Sequence, residues 1–355
     1  MNNKKKYFFT ENLLRWDRVS NRRAMPWKGE KDPYKIWLSE IILQQTRVEQ
    51  GLDYYNRFIK QFPSIKKLAS APESAVFKLW EGLGYYTRCR NLVATARYIS
   101  DELEGNFPST HADILKLKGV GPYTAAAISS FAYNLPHAVV DGNVMRVLAR
   151  YFGIETAIDS SLGKNDFNML AQQLLPEGKA AKYNQAIMDF GATVCKPQSP
   201  TCATCPLQKK CTAYQQGRQE YYPVKAGKLV KKHRYFYYLL VSQAGKYFIR
   251  KRSGKDIWQN LHEFILVERK DPAEKLEQEI PGWLKQFSIG ANNIKSISKT
   301  YRQQLTHQTI HGCFISIELK QPQLIEGYEL ISKTKMKKLA FPRFITTYFE
   351  EEKFF

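Results

Sequence analysis

Acidic residues are scarce in this chain. Its 355 residues hold 33 Asp and Glu against 54 Lys and Arg, a formal net charge of +21. An imbalance of that size favours a polyanionic partner, nucleic acid first and an anionic membrane surface second. The membrane alternative meets another absence: no run of eighteen apolar residues exists, so no segment reads as a spanning helix. Lys4, Lys5 and Lys6 stand near the start, but Thr10, Glu11 and Asn12 interrupt the apolar stretch that a signal peptide needs. We expect an intracellular, cytoplasmic protein, nucleoid-associated if bacterial. Long low-complexity tracts are missing too, and the 43% hydrophobic fraction can supply the cores of two or three domains. Cysteine is sparse, with six residues, four of them between 195 and 211. In a reducing compartment that crowding suggests a metal rather than disulfides. Histidine is absent from the run Cys195-x6-Cys202-x2-Cys205-x5-Cys211, so all four ligands would be thiolates. Four thiolates suit zinc and [4Fe–4S] alike, and spacing alone does not choose between them.

What is present centres on residues 117–150. Lys118-Gly119-Val120-Gly121 is a tight turn between a helical pattern ending at Leu117 and another opening at Pro122. Proline suits a first helical position, where its missing N–H would have no partner. Gly119 and Gly121 permit positive φ and close backbone approach. The turn thus exposes N–H groups at a helix N-terminus, a place for a phosphate. This is a helix-hairpin-helix pattern, which grips DNA backbones without reading sequence. About twenty residues on, Asp141 follows the apolar pair Val139-Val140 and precedes Gly142-Asn143. Read alone, the stretch is equally an αα-hairpin with a capping Asp. A hairpin followed by an Asp at this distance resembles the DNA glycosylase superfamily that includes endonuclease III.

Ahead of the hairpin, residues 7–20 have helical periodicity with Phe8, Leu13, Leu14 and Trp16 in apolar positions. Arg22 to Trp27 form a basic, aromatic loop, suited to a DNA backbone or to a surface turn with Trp27 packed inward. Asp32-Pro33 then caps and opens a helix whose buried face is expected from Ile36, Trp37, Ile41 and Leu43. Glu40 sits inside this apolar stretch. Burial would raise its pKa and let it donate a proton near neutral pH. The segment Trp37-Leu38-Ser39-Glu40 … Leu43-Gln44-Gln45-Thr46 resembles adenine DNA glycosylases of the MutY type, in which this Glu protonates the departing base. Helices are expected at 48–62 and from Pro72 to about Gly82. Gly82-Leu83-Gly84-Tyr85-Tyr86-Thr87-Arg88 reads as a wedge for unstacking a base step or as a helix C-cap with a packed Tyr. The same segment occurs in MutY-type enzymes, and the match assigns the wedge to Leu83 and Tyr85, with Gln45 beside them. A helix over 183–192 delivers the chain to the cysteines, whose spacing matches the cluster loop of the endonuclease III and MutY families. That resemblance implies a [4Fe–4S] cluster on Cys195, Cys202, Cys205 and Cys211, with Lys196, Lys209, Lys210 and Arg218 supplying a basic loop around it.

Composition shifts near 219. Tyr221-Tyr222-Pro223 and Ala226-Gly227-Lys228 suggest a linker, and alternating strand patterns follow: 235–242 and 246–252 as a hairpin, then 294–301 and 308–319, with a helix over 274–286. This order resembles the Nudix-like C-terminal domain of MutY enzymes. Glu274, Glu277 and Glu279 do not fall in the run that holds Mg²⁺ in a Nudix hydrolase, so no pyrophosphatase is expected. Leu305-Thr306-His307 lies where the family loop reads Phe-Ser-His.

The fold expected is multidomain: an all-α helix-hairpin-helix glycosylase domain at 1–218 with its iron–sulfur loop at 195–211, a linker at 219–229, and an α+β Nudix-like domain at 230–355 for 8-oxoguanine recognition. The resemblance implies a monomeric, monofunctional enzyme that removes adenine mispaired with 8-oxoguanine or guanine in double-stranded DNA. Glu40 would protonate the base. Asp141 would stabilise or trap the resulting cation, as paired carboxylates do in retaining glycosidases, and Asn143 would orient Asp141 or water. Arg23 and Trp27 would line the adenine pocket, and Gln185 falls where some relatives carry Glu. Tyr123 replaces the Lys that forms a Schiff base in bifunctional relatives. Two other readings remain: an endonuclease III-type glycosylase and lyase for oxidised pyrimidines, and a non-catalytic DNA-binding protein.

Overall fold

The structure, a computed structural model, describes residues 3–227, 231–290 and 294–355. In chain order the helices before the sheet are α1 (Asn3–Val19), α2 (Pro33–Leu43), α3 (Val48–Gln61), α4 (Ile65–Ala69), α5 (Glu73–Trp80), α6 (Tyr86–Asp101), α7 (His111–Lys116), α8 (Pro122–Tyr133), α9 (Gly142–Phe152), α10 (Ser161–Leu174), α11 (Ala180–Thr193) and α12 (Thr212–Gln215). Then come β1 (Lys232–Gln243), β2 (Lys246–Lys251), β3 (His262–Glu263), β4 (Ile265–Arg269), α13 (Leu276–Lys285), β5 (Ile294–Ile297), β6 (Tyr301–Gln304), β7 (Gln308–Leu319), β8 (Glu329–Ser332), α14 (Lys333–Met336) and α15 (Arg343–Glu351). Two compact units result: Met1–Ala69 with Ala94–Gly227, and Ser70–Val93 with Lys228–Phe355.

In the first unit, α2 is the central helix. Asp32 caps it, accepting from Tyr34 N–H at 2.9 Å, and Pro33 takes the first position. From Ile36 to Ile42 every residue is buried, so α2 has no solvent face; Leu43, expected inside, is only partly covered. The helix packs between α3 and α8. A second core gathers Phe9 and Leu13 of α1, Val147 and Tyr151 of α9, Phe167 of α10 and Phe190 of α11. Phe9, rather than Phe8, is the fully buried aromatic of α1, because the apolar stripe is rotated one residue from the simple spacing. Each such ring contributes roughly 1.5–3 kcal/mol through burial.

The second unit is a mixed sheet in the order β3-β2-β1-β7-β5, with β4 on β1, β6 on β7 and β8 on β2. Strands β1 and β7 run parallel at its centre, in register from Lys232↔Gln308 to Gln243↔Leu319. They pass so closely that a Cβ on Gly312 would lie 1.7 Å from the Phe236 carbonyl oxygen. Helix α13 covers one face through Ile280, Trp283 and Leu284. On the other face Phe314 stacks on Tyr348 of α15 at 4.1 Å between ring centres.

Residues 70–93 belong with this sheet, which the linear division at 218 and 230 does not anticipate. Lys78 Nζ donates to the Leu339 carbonyl at 3.0 Å, Phe341 N–H to Glu81 at 2.8 Å, and Asn260 Nδ2 to Glu73 at 3.3 Å. Nor is 219–226 a free linker. Arg150 Nε donates to the Gln219 carbonyl at 2.8 Å, Tyr222 is buried, and Ala226 N–H donates to Asp159 at 2.7 Å. Residues 228–230, where the expected linker meets the second domain, lie outside the described residues.

Candidate active site

Glu40 occupies the wholly buried turn of α2 and is 6% exposed. Burial pushes its carboxyl up to about 7, against a lowering hydrogen bond from the Tyr123 hydroxyl and with a further rise from the Asp141 charge. Burial, then the two carboxylates, drive the Tyr123 phenol well above its ordinary range, so it stays a neutral donor. Asp141 is the N-cap of α9. Its Oδ1 accepts from Val144 N–H at 2.7 Å and its Oδ2 from Asn143 Nδ2 at 2.7 Å. Burial raises its pKa and these donors oppose the rise. The environments therefore separate two carboxyls, one poised to give a proton near neutral pH and one supplied with donors to its charged form.

Both carboxyls open on one cavity of about 170 Å³, room for roughly six waters or a single bicyclic base. Arg23, Trp27, Tyr123, Asn143 and Gln185 line it too, so the residues expected around a flipped base meet here. Trp27 is held edge-on against Tyr55 at 5.2 Å. Its apolar walls, Met25, Ile36, Leu43, Phe131 and Met188, were not among the expected site residues. Two further residues went unnoticed. Asp189 is fully buried and ion-paired to Arg23 and Lys28 at 3.0 and 2.8 Å. Arg146 donates to Asn143 Oδ1 at 2.9 Å, the Gly191 carbonyl at 2.7 Å and the Cys195 carbonyl at 2.8 Å. A charged residue inside the apolar run Ile187-Met188-Asp189-Phe190 is the same signal that exposed Glu40 and could have found Asp189.

In the hairpin of α7 and α8, Gly119 adopts φ +82° while Gly121 is extended at −95° and caps α8. Only Gly119 uses the left-handed freedom expected of both. The helix itself leaves the N–H groups of the first turn of α8 unbonded.

The four cysteines share one loop, three of them packed against α9 and its neighbours. Arg150 Nη1 donates to Cys195 Sγ at 3.5 Å, and the Cys211 thiol donates to the Arg150 carbonyl at 3.5 Å. A guanidinium aimed at sulfur and an all-thiol donor set fit a thiolate-bound group. Among the described residues no three His, Cys, Asp or Glu side chains are placed to hold a metal ion as they stand. Of the expected basic loop, Lys210 lies over the Phe8 ring at 4.7 Å and Arg218 pairs with Glu155 at 3.0 Å.

The glycine-aromatic loop belongs to the second unit. Gly82, Gly84 and Tyr85 all have positive φ, at 89°, 77° and 48°. Tyr85 is 44% exposed, whereas Leu83 is only 4% exposed and offers little surface to a base stack in this conformation. Arg88 lies 5.2 Å from both the Trp80 and Tyr85 rings. The Tyr85 hydroxyl bonds to the Thr306 hydroxyl, bringing together two expected DNA-facing residues. Thr306 and His307 form the β6–β7 turn, closed by Leu305 N–H to the Gln308 carbonyl at 2.8 Å. Gln45, in the first unit, is exposed at φ +55°.

A hairpin, a caged Asp and a buried Glu around a base-sized cavity define a helix-hairpin-helix base-excision glycosylase. Residues 38–172 match the model of the HhH-GPD superfamily of base excision DNA repair proteins, and 236–351 match a NUDIX domain. The adenine DNA glycosylase of Buchnera aphidicola from Schizaphis graminum is 33% identical over 313 residues, covering 88% of each chain. That of Mus musculus is 43% identical over 216 residues, 58% of this chain and 42% of the mouse protein. A solved thermostable thymine-DNA glycosylase superposes with a TM-score of 0.56 at 32% identity, covering 60% of this chain and 98% of that one. The chain belongs to the adenine DNA glycosylase family, hydrolases of N-glycosyl bonds that serve base excision repair.

Gly191 provides a first test of how the site is built. A Cβ there would lie 2.8 Å from Asn143 Cβ and 3.0 Å from the Asn143 carbonyl oxygen. Backbone cannot yield as a flexible side chain does, so Gly191→Ala should push the start of α9, with Asp141, out of place. A shift near 1 Å at reacting groups costs on the order of 10²-fold in rate, and overpacking about 1–3 kcal/mol in stability. Single-turnover base release and a melting curve would show both; an unchanged rate would mean that α9 absorbs the methyl elsewhere.

Proposed function

We propose that the protein excises adenine paired with 8-oxoguanine or guanine from duplex DNA and leaves an abasic site. The observation that carries this is the pairing, across one base-sized cavity, of a buried Glu40 held near neutral pKa with a hydrogen-bonded Asp141. The glycosidic bond is shielded in a duplex, so the adenine must be flipped out. Glu40 gives its proton to N7 of the base. The C1′–N9 bond breaks, its electron pair leaves with adenine, and the sugar becomes an oxocarbenium-like cation. Asp141 stabilises that cation or traps it until water adds at C1′. Tyr123 carries no amine, so no Schiff base forms with the sugar and the backbone stays uncut. The net charge of +21 and the hairpin glycines suit a DNA backbone contact. We read the protein as a cytoplasmic monomer; among the described residues no helix is long and apolar enough to cross a membrane.

The lesion would be read at Thr306 and His307. 8-Oxoguanine carries an N7–H and an O8 that guanine lacks, and a hydroxyl can accept from the first. Single-turnover excision should favour adenine opposite 8-oxoguanine over adenine opposite guanine, and Thr306→Val with His307→Ala should narrow that preference. Borohydride should trap no abundant adduct. No adenine release from either duplex, or an unchanged preference in the double mutant, would sink the corresponding part of this reading.

Cys195, Cys202, Cys205 and Cys211 would hold a [4Fe–4S] cluster, whose chemistry here is to cross-link the loop at four sulfurs. Anaerobically purified protein should contain about four irons per chain. Cys202→Ser should lose the brown absorbance and bind DNA more weakly. Stoichiometric zinc without iron would overturn the assignment.

A further inference from the structure

Asp189 lies on α11 one turn after Gln185, with its side chain wholly removed from solvent. A carboxylate has about four acceptor sites, and four donors fill them here. Oδ1 accepts from Arg23 Nη1 at 3.0 Å and Gln185 Nε2 at 3.1 Å. Oδ2 accepts from Lys28 Nζ at 2.8 Å and Asn21 Nδ2 at 2.9 Å. The loop so gathered is tied to itself as well: Lys28 Nζ donates to the Arg23 carbonyl at 2.9 Å, and Arg23 N–H to Asn21 Oδ1 at 3.1 Å. Arg23 and Gln185 both face the cavity that holds Glu40 and Asp141.

We propose that Asp189 is a positioning residue that sets the hydrogen-bonding polarity of the base pocket by claiming the amide NH₂ of Gln185. An ionised carboxylate only accepts, so the amide nitrogen must face it, and Oε1 is the atom left for a base. An acceptor there pairs with the 6-amino group of adenine. It gains nothing from an unsubstituted purine and opposes the 6-oxo group of hypoxanthine. The selectivity resides in an amide orientation that Gln185 alone does not enforce. In Asp189→Asn a single oxygen remains for four donors, and the new NH₂ pairs with Gln185 Oε1 once that amide turns over. The pocket then meets the base with a donor.

This inference rests on the adenine-excision reading, and the wild-type control separates the two: a wild-type protein that releases no adenine refutes that reading first. The experiment is single-turnover excision from duplexes that differ only in the target base, adenine, purine or hypoxanthine, by the full chain. Wild type should prefer adenine. Asp189→Asn should reduce the adenine-to-purine rate ratio about tenfold, the scale of one misplaced hydrogen bond, and raise hypoxanthine relative to adenine. A purely structural role would slow all three targets alike, and an unchanged ratio overturns the proposal. Gln185→Leu guards against an Asp189→Asn protein that does not fold, since it keeps the bonds of Asp189 to Arg23, Lys28 and Asn21. It should lose the same ratio, and an unaltered ratio there overturns the proposal too. Where both singles fold, the double mutant should show no further loss of selectivity, because the two residues act through one amide.

Discussion

Glu40→Gln should release no measurable adenine and yet melt several degrees above the wild-type protein at pH 8. The activity half follows from the missing proton. The structure gives Glu40 a pKa of about 7, so its acid form is half populated there and falls tenfold with each further pH unit. Wild-type excision should therefore decline on the alkaline side of pH 7, and the Gln variant should have no such limb because it has no rate. The stability half follows from linkage. Glu40 binds its proton more tightly folded than unfolded, so the folded state is penalised wherever the group must ionise. Below the ordinary value of 4.5 both states are protonated and nothing is lost. Between 4.5 and 7 stability falls as pH rises, and above 7 the loss is constant at about 3 kcal/mol. Glutamine has nearly the shape of the protonated acid and never ionises, so it escapes that cost. The two proteins should melt alike at pH 4 and diverge through neutrality. Equal melting temperatures at pH 8 would place Glu40 in a more solvated setting than α2 provides, and substantial excision by the variant would put the acid elsewhere.

Glu40 was readable because an ionisable residue within an apolar helix has few ways to be accommodated, and Asp141 because a carboxylate before Gly-Asn at a helix start caps whatever else it does. Both arguments are local. The features that escaped are held by partners far along the chain. Three of the four donors to Asp189 lie more than 160 residues away, and Tyr85 meets Thr306 across 221. Residues 70–93 look like one more helical segment of the first domain, and only their contacts to Asn260, Leu339 and Phe341 assign them to the sheet. Leu83 illustrates a different limit. A leucine between glycines reads as exposed from sequence, but the left-handed turns at Gly82 and Gly84 bring the chain round so that Leu83 is covered and Tyr85 is presented. Helix periodicity likewise located α1, read over 7–20, but not the phase of its stripe, where Phe8 and Phe9 compete for one core position.

Asp141→Asn isolates charge from architecture. Asparagine caps a helix about as well as aspartate, so Val144 N–H keeps its acceptor and α9 should remain where it is. Asn143 stays tethered by Arg146, which is anchored in turn on the Gly191 and Cys195 carbonyls. On the proposed mechanism, what disappears is the negative charge facing the sugar when the glycosidic bond opens, together with the acceptor that Asn143 Nδ2 uses. Removing one preorganised electrostatic group of this kind costs on the order of 10³-fold in rate, and we expect single-turnover adenine excision to fall by about that factor. DNA affinity should hold or rise slightly, since it derives from phosphate contacts and a nearby anion has been removed. The residual activity carries a second signature. The Asp141 charge is one of the causes holding the Glu40 carboxyl up, so neutralising it lets that pKa fall. Activity in the variant should consequently decline at a lower pH than in wild type, a shift that a merely misfolded site would not produce. Excision within tenfold of wild type would remove Asp141 from the chemistry. A thousandfold loss with an unmoved alkaline limb would keep Asp141 as the counter-charge but deny that the two carboxyls sense each other.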